Sequence, residues 1–338
     1  MRIGIDCRKI ADFGIGTYIR GLLHALVELG GDEYVALGGA DIEPLLPRGV
    51  EHIIINAPHY SLRELLTVGR AADRARLDIF HVPHYVVPML RTPFVVTIHD
   101  LIHLRHRNPL ARLYARTMIG RAVRKSRRVL TVSESVRSEL AAFGHPEKII
   151  VTPNGVDALF FDAQAGLPGP HHNYFLFVGN DKPHKNVERL VEAFAIVRKS
   201  GKVKLVLAGG DFSRFAKHQG IFLAGLVPRE QLATLYRGAI ALVQPSIEEG
   251  FGLPAAEAMA SGAVVITSTA PALVEVTGDG ALHAAPDSID EIANAMLRVM
   301  REPLLRATLI DRARKRAREF TWQRCAMITR DAYRAALG

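Results

Sequence analysis

Cysteine is nearly absent: Cys7 and Cys325 are the only two among 338 residues. Without a CxxC pair or a Cys/His ligand spacing, zinc and redox chemistry fall away. Both thiols read as small core hydrophobes, and so low a count fits a reducing compartment. Aromatic residues make up 7%, too few for a base-stacking surface on single-stranded nucleic acid. No apolar run approaches the roughly 18 residues a membrane-spanning helix needs. The opening Met1-Arg2-Ile3-Gly4-Ile5-Asp6 is a charged strand start, not a signal peptide with a long apolar centre. Acidic residues are in deficit, 34 against 43 Lys and Arg, and the net charge of +9 favours polyanions: phosphorylated substrates, anionic lipid or nucleic acid. Between Leu101 and Arg128 Asp and Glu vanish while Arg105, Arg107, Arg112, Arg116, Arg121, Arg124, Lys125, Arg127 and Arg128 accumulate.

What is present is globular, and the length suggests two domains. Short apolar runs alternate with helical patterns, and the alternation occurs twice. The first set of expected strands is Arg2–Asp6, Tyr34–Leu37, His52–Ile55, Ile79–Val82, Phe94–Ile98, Val129–Val132 and Ile149–Thr152. A helix is expected over Gly16–Leu29, where Ile19, Leu22, Leu23 and Leu26 share a face. The stretch Asp162–Asn173, with Gly166, Pro168, Gly169 and Pro170, reads as a linker. Beyond it come Tyr174–Val178, Lys204–Ala208, Ile221–Leu223, Ile240–Gln244 and Val264–Thr267, with a helix at Asn186–Lys199 that Asn186 is placed to cap. Repeated βα units predict parallel sheets covered by helices, hence an α/β chain of two doubly wound, Rossmann-like domains. The domains are placed at 1–165 and 172–319, with the terminal helix within 320–338 returning to the first. Ligands in such sheets bind beyond the carboxyl ends of the strands, so a single cleft between the domains is expected.

The densest chemistry lies in Pro245-Ser246-Ile247-Glu248-Glu249-Gly250-Phe251-Gly252-Leu253-Pro254-Ala255-Ala256-Glu257. A strand runs into a glycine loop, and Pro254 suits the first turn of a helix because its missing N–H costs nothing there. The helix start offers free N–H groups to an anion such as a diphosphate. Glu257, expected in the first turn, has the chemistry to accept hydrogen bonds from a ribose diol, although a carboxylate there also merely complements the helix dipole. Gly14-Ile15-Gly16 lacks the third glycine of a dinucleotide fingerprint, which disfavours nicotinamide.

Glu-Gly-Phe-Gly-Leu-Pro followed by a second Glu, with seven residues between Glu249 and Glu257, resembles the mark of the large retaining glycosyltransferase family numbered four, of GT-B fold. The resemblance covers nearly the whole chain. Gly14-Ile15-Gly16-Thr17-Tyr18, Thr97-Ile98-His99-Asp100, Thr131-Val132-Ser133-Glu134, Pro153-Asn154-Gly155-Val156-Asp157, Val178-Gly179 and Lys185-Asn186 follow in the family's order. It implies a nucleotide-diphosphate sugar as donor and no cofactor, and no Asp-x-Asp follows a strand in a way that suits a metal–diphosphate bridge, so no metal is expected. Glu249 would hold hydroxyls of the transferred sugar and Glu257 the ribose. The backbone around Phe251, Gly252 and Leu253 would meet sugar and phosphate. Lys185, with Lys182 as a second cation, would neutralise the diphosphate. Gly14, Gly16 and Asn154 would lie along the donor, and His99 beside the reacting sugar. The chain departs from the family in three places: His184 stands where Arg is usual, Gly262-Ala263-Val264 replaces Gly-x-Pro, and Leu273-Val274-Glu275 replaces Leu-Pro-Glu.

The implied activity is transfer of a hexose, mannose or rhamnose first, to a glycan or lipid-linked acceptor in cell-envelope polysaccharide synthesis. A sugar-nucleotide epimerase, a glycan phosphorylase and a silent sugar-nucleotide-binding subunit are the alternatives. Arg112, Arg116, Arg124 and Arg128 fall on one helical row, with Arg121 and Lys125 beside it and Leu110, Leu113, Tyr114 and Met118 facing the other way. That pattern suits an anionic membrane surface, a lipid-linked pyrophosphate acceptor or a solvated face. No nucleic-acid motif accompanies the charge. A cytoplasmic protein, peripheral at the inner membrane face, is the resulting expectation.

Overall fold

A computed structural model describes residues 1–55, 62–105, 107–162 and 173–338, without the side chains of 62–64. Residues 163–172, most of the expected linker, and His106 lie outside it. The chain forms two compact units, Met1–Gly155 with Thr321–Gly338, and Val156–Phe320. The division falls ahead of residue 165, because Val156 donates its N–H to Phe320 O (3.0 Å) and Phe160 packs edge-on against Tyr236 at 5.9 Å, both bonds of the second unit.

The first unit is built on seven parallel strands: β1 (Arg2–Asp6), β2 (Glu33–Gly38), β3 (Glu51–Ile54), β4 (Ile79–Val82), β5 (Phe94–Ile98), β6 (Arg128–Thr131) and β7 (Ile149–Val151). Their order is β3-β2-β1-β4-β5-β6-β7, so the chain leaves β1 in one direction and returns to lay β4 on its other side. Helices α1 (Ile15–Leu29), α2 (Leu62–Arg74), α3 (Pro109–Lys125) and α4 (Glu134–Leu140) supply the crossovers. The central strands are buried throughout, which is why they read as continuous apolar runs rather than alternating ones.

The second unit contains α5 (Ala158–Phe161), β8 (Tyr174–Gly179), α6 (Val187–Arg198), β9 (Lys204–Gly209), β10 (Ile221–Gly225), α7 (Arg229–Gly238), β11 (Ala241–Gln244), α8 (Leu253–Ala260), β12 (Val265–Ser268), α9 (Pro271–Thr277), β13 (Ala281–Ala284), α10 (Ile289–Arg301) and α11 (Pro303–Ala317). Its six parallel strands are ordered β10-β9-β8-β11-β12-β13. Strand β13, Ala-Leu-His-Ala, is the one that apolar patterning does not announce, since it lacks any β-branched or aromatic side chain.

The last helix, α12 (Trp322–Leu337), belongs to the first unit, where it lies against α1. Thr321 Oγ1 caps it by accepting from Arg324 N at 3.2 Å. Trp322 sits in a notch that two glycines leave open: a Cβ on Gly21 would fall inside the indole, and one on Gly155 would strike the Trp322 backbone. Tyr333 of α12 is fully buried and bonds His81 Nδ1 at 2.6 Å.

Helix α3 corrects the expected basic row. It ends at Lys125, and Arg128 opens β6 instead of continuing the helix. Its buried face is Ala115, Ile119, Gly120, Ala122 and Val123. Leu110, Leu113 and Tyr114 were expected opposite the arginines, but they are 74%, 62% and 44% exposed. That face packs into the core of the first unit, and Leu110, Leu113 and Tyr114 are left outside together with Arg112 and Arg116.

Candidate active site

In each sheet the chain order reverses at one point, and the carboxyl ends of the two strands there open a crevice. In the second unit those strands are β8 and β11. Strand β8 runs into a turn ending at Lys185, and β11 runs into the loop carrying Glu249. This brings residues 64 apart in sequence into contact: Lys185 Nζ lies 2.7 Å from Glu249 Oε1.

The two loops are tied together by their backbones. Ile247 N donates to His184 O at 2.8 Å. Asn186 was expected to cap α6 through its side chain, and it does not. Its backbone is left-handed (φ 60°), and its Nδ2 donates instead to Pro245 O (3.0 Å) and Pro286 O (2.6 Å), so it staples the two loops. His184, in place of the usual Arg, contributes this backbone carbonyl to the join.

Glu249 Oε1 also accepts from Gln244 Nε2 and Ser246 Oγ, each at 2.7 Å. Burial pushes this carboxyl up, but the Lys185 ammonium and the converging hydrogen bonds more than offset it, so Glu249 is held ionised below the usual carboxylate range. Its Oε2 has no partner among the described residues. Gln244 and Ser246 were not singled out from the sequence. The available signal was a polar residue closing the apolar run Ala241-Leu242-Val243.

Glu257 sits in the second turn of α8, not the first, since the helix starts at Leu253. The dipole reading therefore loses its basis. Glu257 is 8% exposed, accepts from Tyr236 OH at 3.0 Å, and lies 3.9 Å from Arg229, which is itself paired with Asp157 at 2.5 Å. Burial dominates over Arg229 and Tyr236 and pushes the carboxyl up to about 7. Ahead of it, Gly252 takes a left-handed φ of 94° as the N-cap, and Pro254 occupies the first turn. Among the described residues the N–H groups of Gly252 and Leu253 have no partner. The Phe251 ring is not at a loop tip: it packs edge-on against Phe320 at 5.3 Å, so Phe251 offers its backbone. Lys182 is exposed, and its carbonyl accepts from Lys185 N at 2.9 Å.

The remaining expected residues belong to the first unit. Gly14 (φ 62°) caps α1, and Gly16 presses on the Ile10 carbonyl, where any Cβ would clash. Partly buried His99 follows β5. Its Nε2 lies 3.2 Å from Pro83 O, its ring is edge-on to Tyr18 at 4.7 Å, and burial lowers its pKa to about 4, so the imidazole is neutral. Asn154 is buried, and its Oδ1 has no partner among the described residues. His103, a weaker candidate, stacks obliquely near Tyr85 at 5.5 Å. A buried network that the sequence did not reveal lies behind His99: His81 Nε2 meets Thr97 Oγ1 at 2.7 Å, and Thr97 meets Tyr18 OH at 2.9 Å. At the end of β1, Asp6 binds Arg8 at 2.6 Å with His84 at 3.4 Å. Burial opposes its ionisation, but Arg8 holds the carboxyl well below its usual range.

Among the described residues no group of three His, Cys, Asp or Glu side chains is arranged to hold a metal. No described helix is long and apolar enough to cross a membrane.

Residues 14–158 match the family described as Glycosyltransferase Family 4, and residues 162–316 match glycosyl transferases group 1. O-antigen chain mannosyltransferase B of Escherichia coli is 29% identical over 76% of this chain and 74% of its own. The MMP alpha-(1->4)-mannosyltransferase of Mycolicibacterium hassiacum is 29% identical over 96% of this chain and 95% of its own. The structure of Anabaena Alr3699/HepE in complex with UDP-glucose superposes with a TM-score of 0.76 at 16% identity, covering 98% of both chains.

Proposed function

Since the chain belongs to the group 1 glycosyltransferases and has their GT-B fold, we propose that it moves a hexose, mannose first, from a nucleotide-diphosphate sugar to a glycan or lipid-linked acceptor of a cell-envelope polysaccharide, with retention and without a metal. The observation that carries this reading is the 2.7 Å pair of Lys185 and Glu249 on two stapled loops at the switch point of the sheet. The two mannosyltransferase relatives support the choice of sugar, and the UDP-glucose complex supports the class of donor.

The chemistry follows from the charges. As the glycosidic bond breaks, the departing diphosphate gains negative charge. Lys185 has three N–H donors, of which Glu249 takes one. The remaining donors, with the unpartnered N–H groups of Gly252 and Leu253, meet that charge in fixed positions. Lys182 adds an exposed cation. Glu249, its Oε1 saturated, presents Oε2 to a sugar hydroxyl, and Glu257 takes the ribose diol. The family resemblance also offers Gly14, Gly16 and Asn154 of the first unit as donor contacts and His99, whose imidazole is neutral, as a sugar contact. No protein nucleophile is invoked: the leaving phosphate accepts the acceptor's proton.

The reading puts the acceptor at an anionic membrane surface, and the exposed face of α3 supports it. Leu110, Leu113 and Tyr114 stand out of α3 beside Arg112 and Arg116, which is the composition of an interfacial helix.

The test is a panel of UDP-, GDP- and dTDP-sugars with and without acceptors, in EDTA, scored for released nucleotide and for the anomer formed. Transfer with retention from one donor is expected. Conversion of the donor without acceptor would indicate an epimerase, and binding without turnover a silent subunit.

A further inference from the structure

The loop before β5 and the end of α3 enclose a surface cavity of about 420 Å³ lined by residues 88–94 with Arg121, Lys125 and Arg127. It opens at the amino end of the parallel sheet. Strand β5 begins there with Phe94, whose carbonyl accepts from Arg127 N at 2.9 Å. Its lining holds four cations, Arg91, Arg121, Lys125 and Arg127, and no carboxylate. Arg121 is committed to the wall, donating to Val87 O (2.8 Å) and Pro88 O (3.3 Å). The other three side chains are exposed and have no hydrogen-bond or ion-pair partner among the described residues. Asp73, which attracts Arg91 electrostatically without a direct ion pair, has its Oδ1 engaged in the loop: it accepts from Arg91 N, Thr92 N and Thr92 Oγ1, all at 2.9 Å. Those bonds fix the loop that carries Arg91. Met89, 56% exposed, adds an apolar side chain to the same lining.

Three exposed cations without a direct hydrogen-bond or ion-pair partner, on a concave lining that holds no carboxylate, give the cavity a positive potential that favours an anion. We propose that this cavity binds a phosphate ester, with Arg91, Lys125 and Arg127 around the phosphate and Met89 beside its substituent. Its volume is that of a small-ligand site. The proposal rests neither on the transfer reaction nor on the Leu110–Tyr114 surface at the opposite end of α3.

The test is titration calorimetry of the full chain at low salt with two probes, inorganic phosphate and dihexanoyl phosphatidate below its micellar concentration. Wild type is compared with Lys125→Gln/Arg127→Gln and with Arg112→Gln/Arg116→Gln. The first pair should lose roughly 30-fold in affinity, about a factor of 5 for each cation. The second pair should bind as wild type does. Tighter binding of phosphatidate than of phosphate upholds the site and identifies a lipid ester; equal or weaker binding overturns the ester proposal, since Met89 then meets no substituent. Equal weakening in both variants overturns it, since the charge then acts as a diffuse field. Binding that K125Q/R127Q leaves unchanged, or no binding, overturns it as well.

Discussion

Glu257→Gln separates what a buried carboxylate does for function from what it costs the fold. In the folded chain this carboxyl is pushed from 4.5 up to about 7. Between those two values the folded state holds a proton that the unfolded state has lost. Stability attributable to the group therefore falls as pH rises from 4.5 to about 7, and the deficit is constant above that. At about 1.4 kcal/mol per pH unit the gap corresponds to a penalty of about 3 kcal/mol at pH 8.5. Gln has the same shape and still accepts from Tyr236 OH, while its lost attraction to Arg229 at 3.9 Å is a smaller term. The variant should melt at nearly the wild-type temperature at pH 4.5 and roughly 6–12 °C higher at pH 8.5 for a unit of this size. Nucleotide affinity should move oppositely: in wild type it rises with pH through 7 as the ribose acceptor ionises, and in the variant it is weak and flat. Calorimetric melting at the two pH values, with nucleotide titration alongside, decides the matter. A melting difference independent of pH would refute the argument, because it would mean that the carboxyl titrates alike in the folded and unfolded chain.

Three further outcomes follow from the same geometry. Glu249→Gln should cut turnover at least about 100-fold while the nucleotide still binds, measured by transfer rate and by titration, because the hydroxyl contact at Oε2 serves the sugar and not the base. Lys185→Met strands a buried carboxylate and should lower stability by about 3–5 kcal/mol in denaturant melts; adding Glu249→Gln should restore most of that without restoring activity. Gly21→Ala drives a methyl into the Trp322 indole and should cost at least about 1–3 kcal/mol with a shifted Trp emission, while donor binding in the second unit is unchanged.

Local chemistry made much of this chain readable. Central strands such as Phe94–Ile98 declare themselves because both faces of a parallel sheet are covered, so every side chain must be apolar. The glycine loop before Glu257 is legible because Gly252 needs a left-handed φ and Pro254 a helix start, both properties of single residues. The family mark follows from the same stretch. Packing decided the rest. The pairing of β8 with β11 in the sheet set Lys185 against Glu249 and recruited Gln244 and Ser246, which sequence distance conceals. Asn186 became a staple because two carbonyls lay within reach of its amide, although its position suited a cap. The outward turn of Leu110, Leu113 and Tyr114 was fixed by which face of α3 could approach the sheet. Periodicity states that a helix has faces, and only the neighbours it packs against decide which of them meets water.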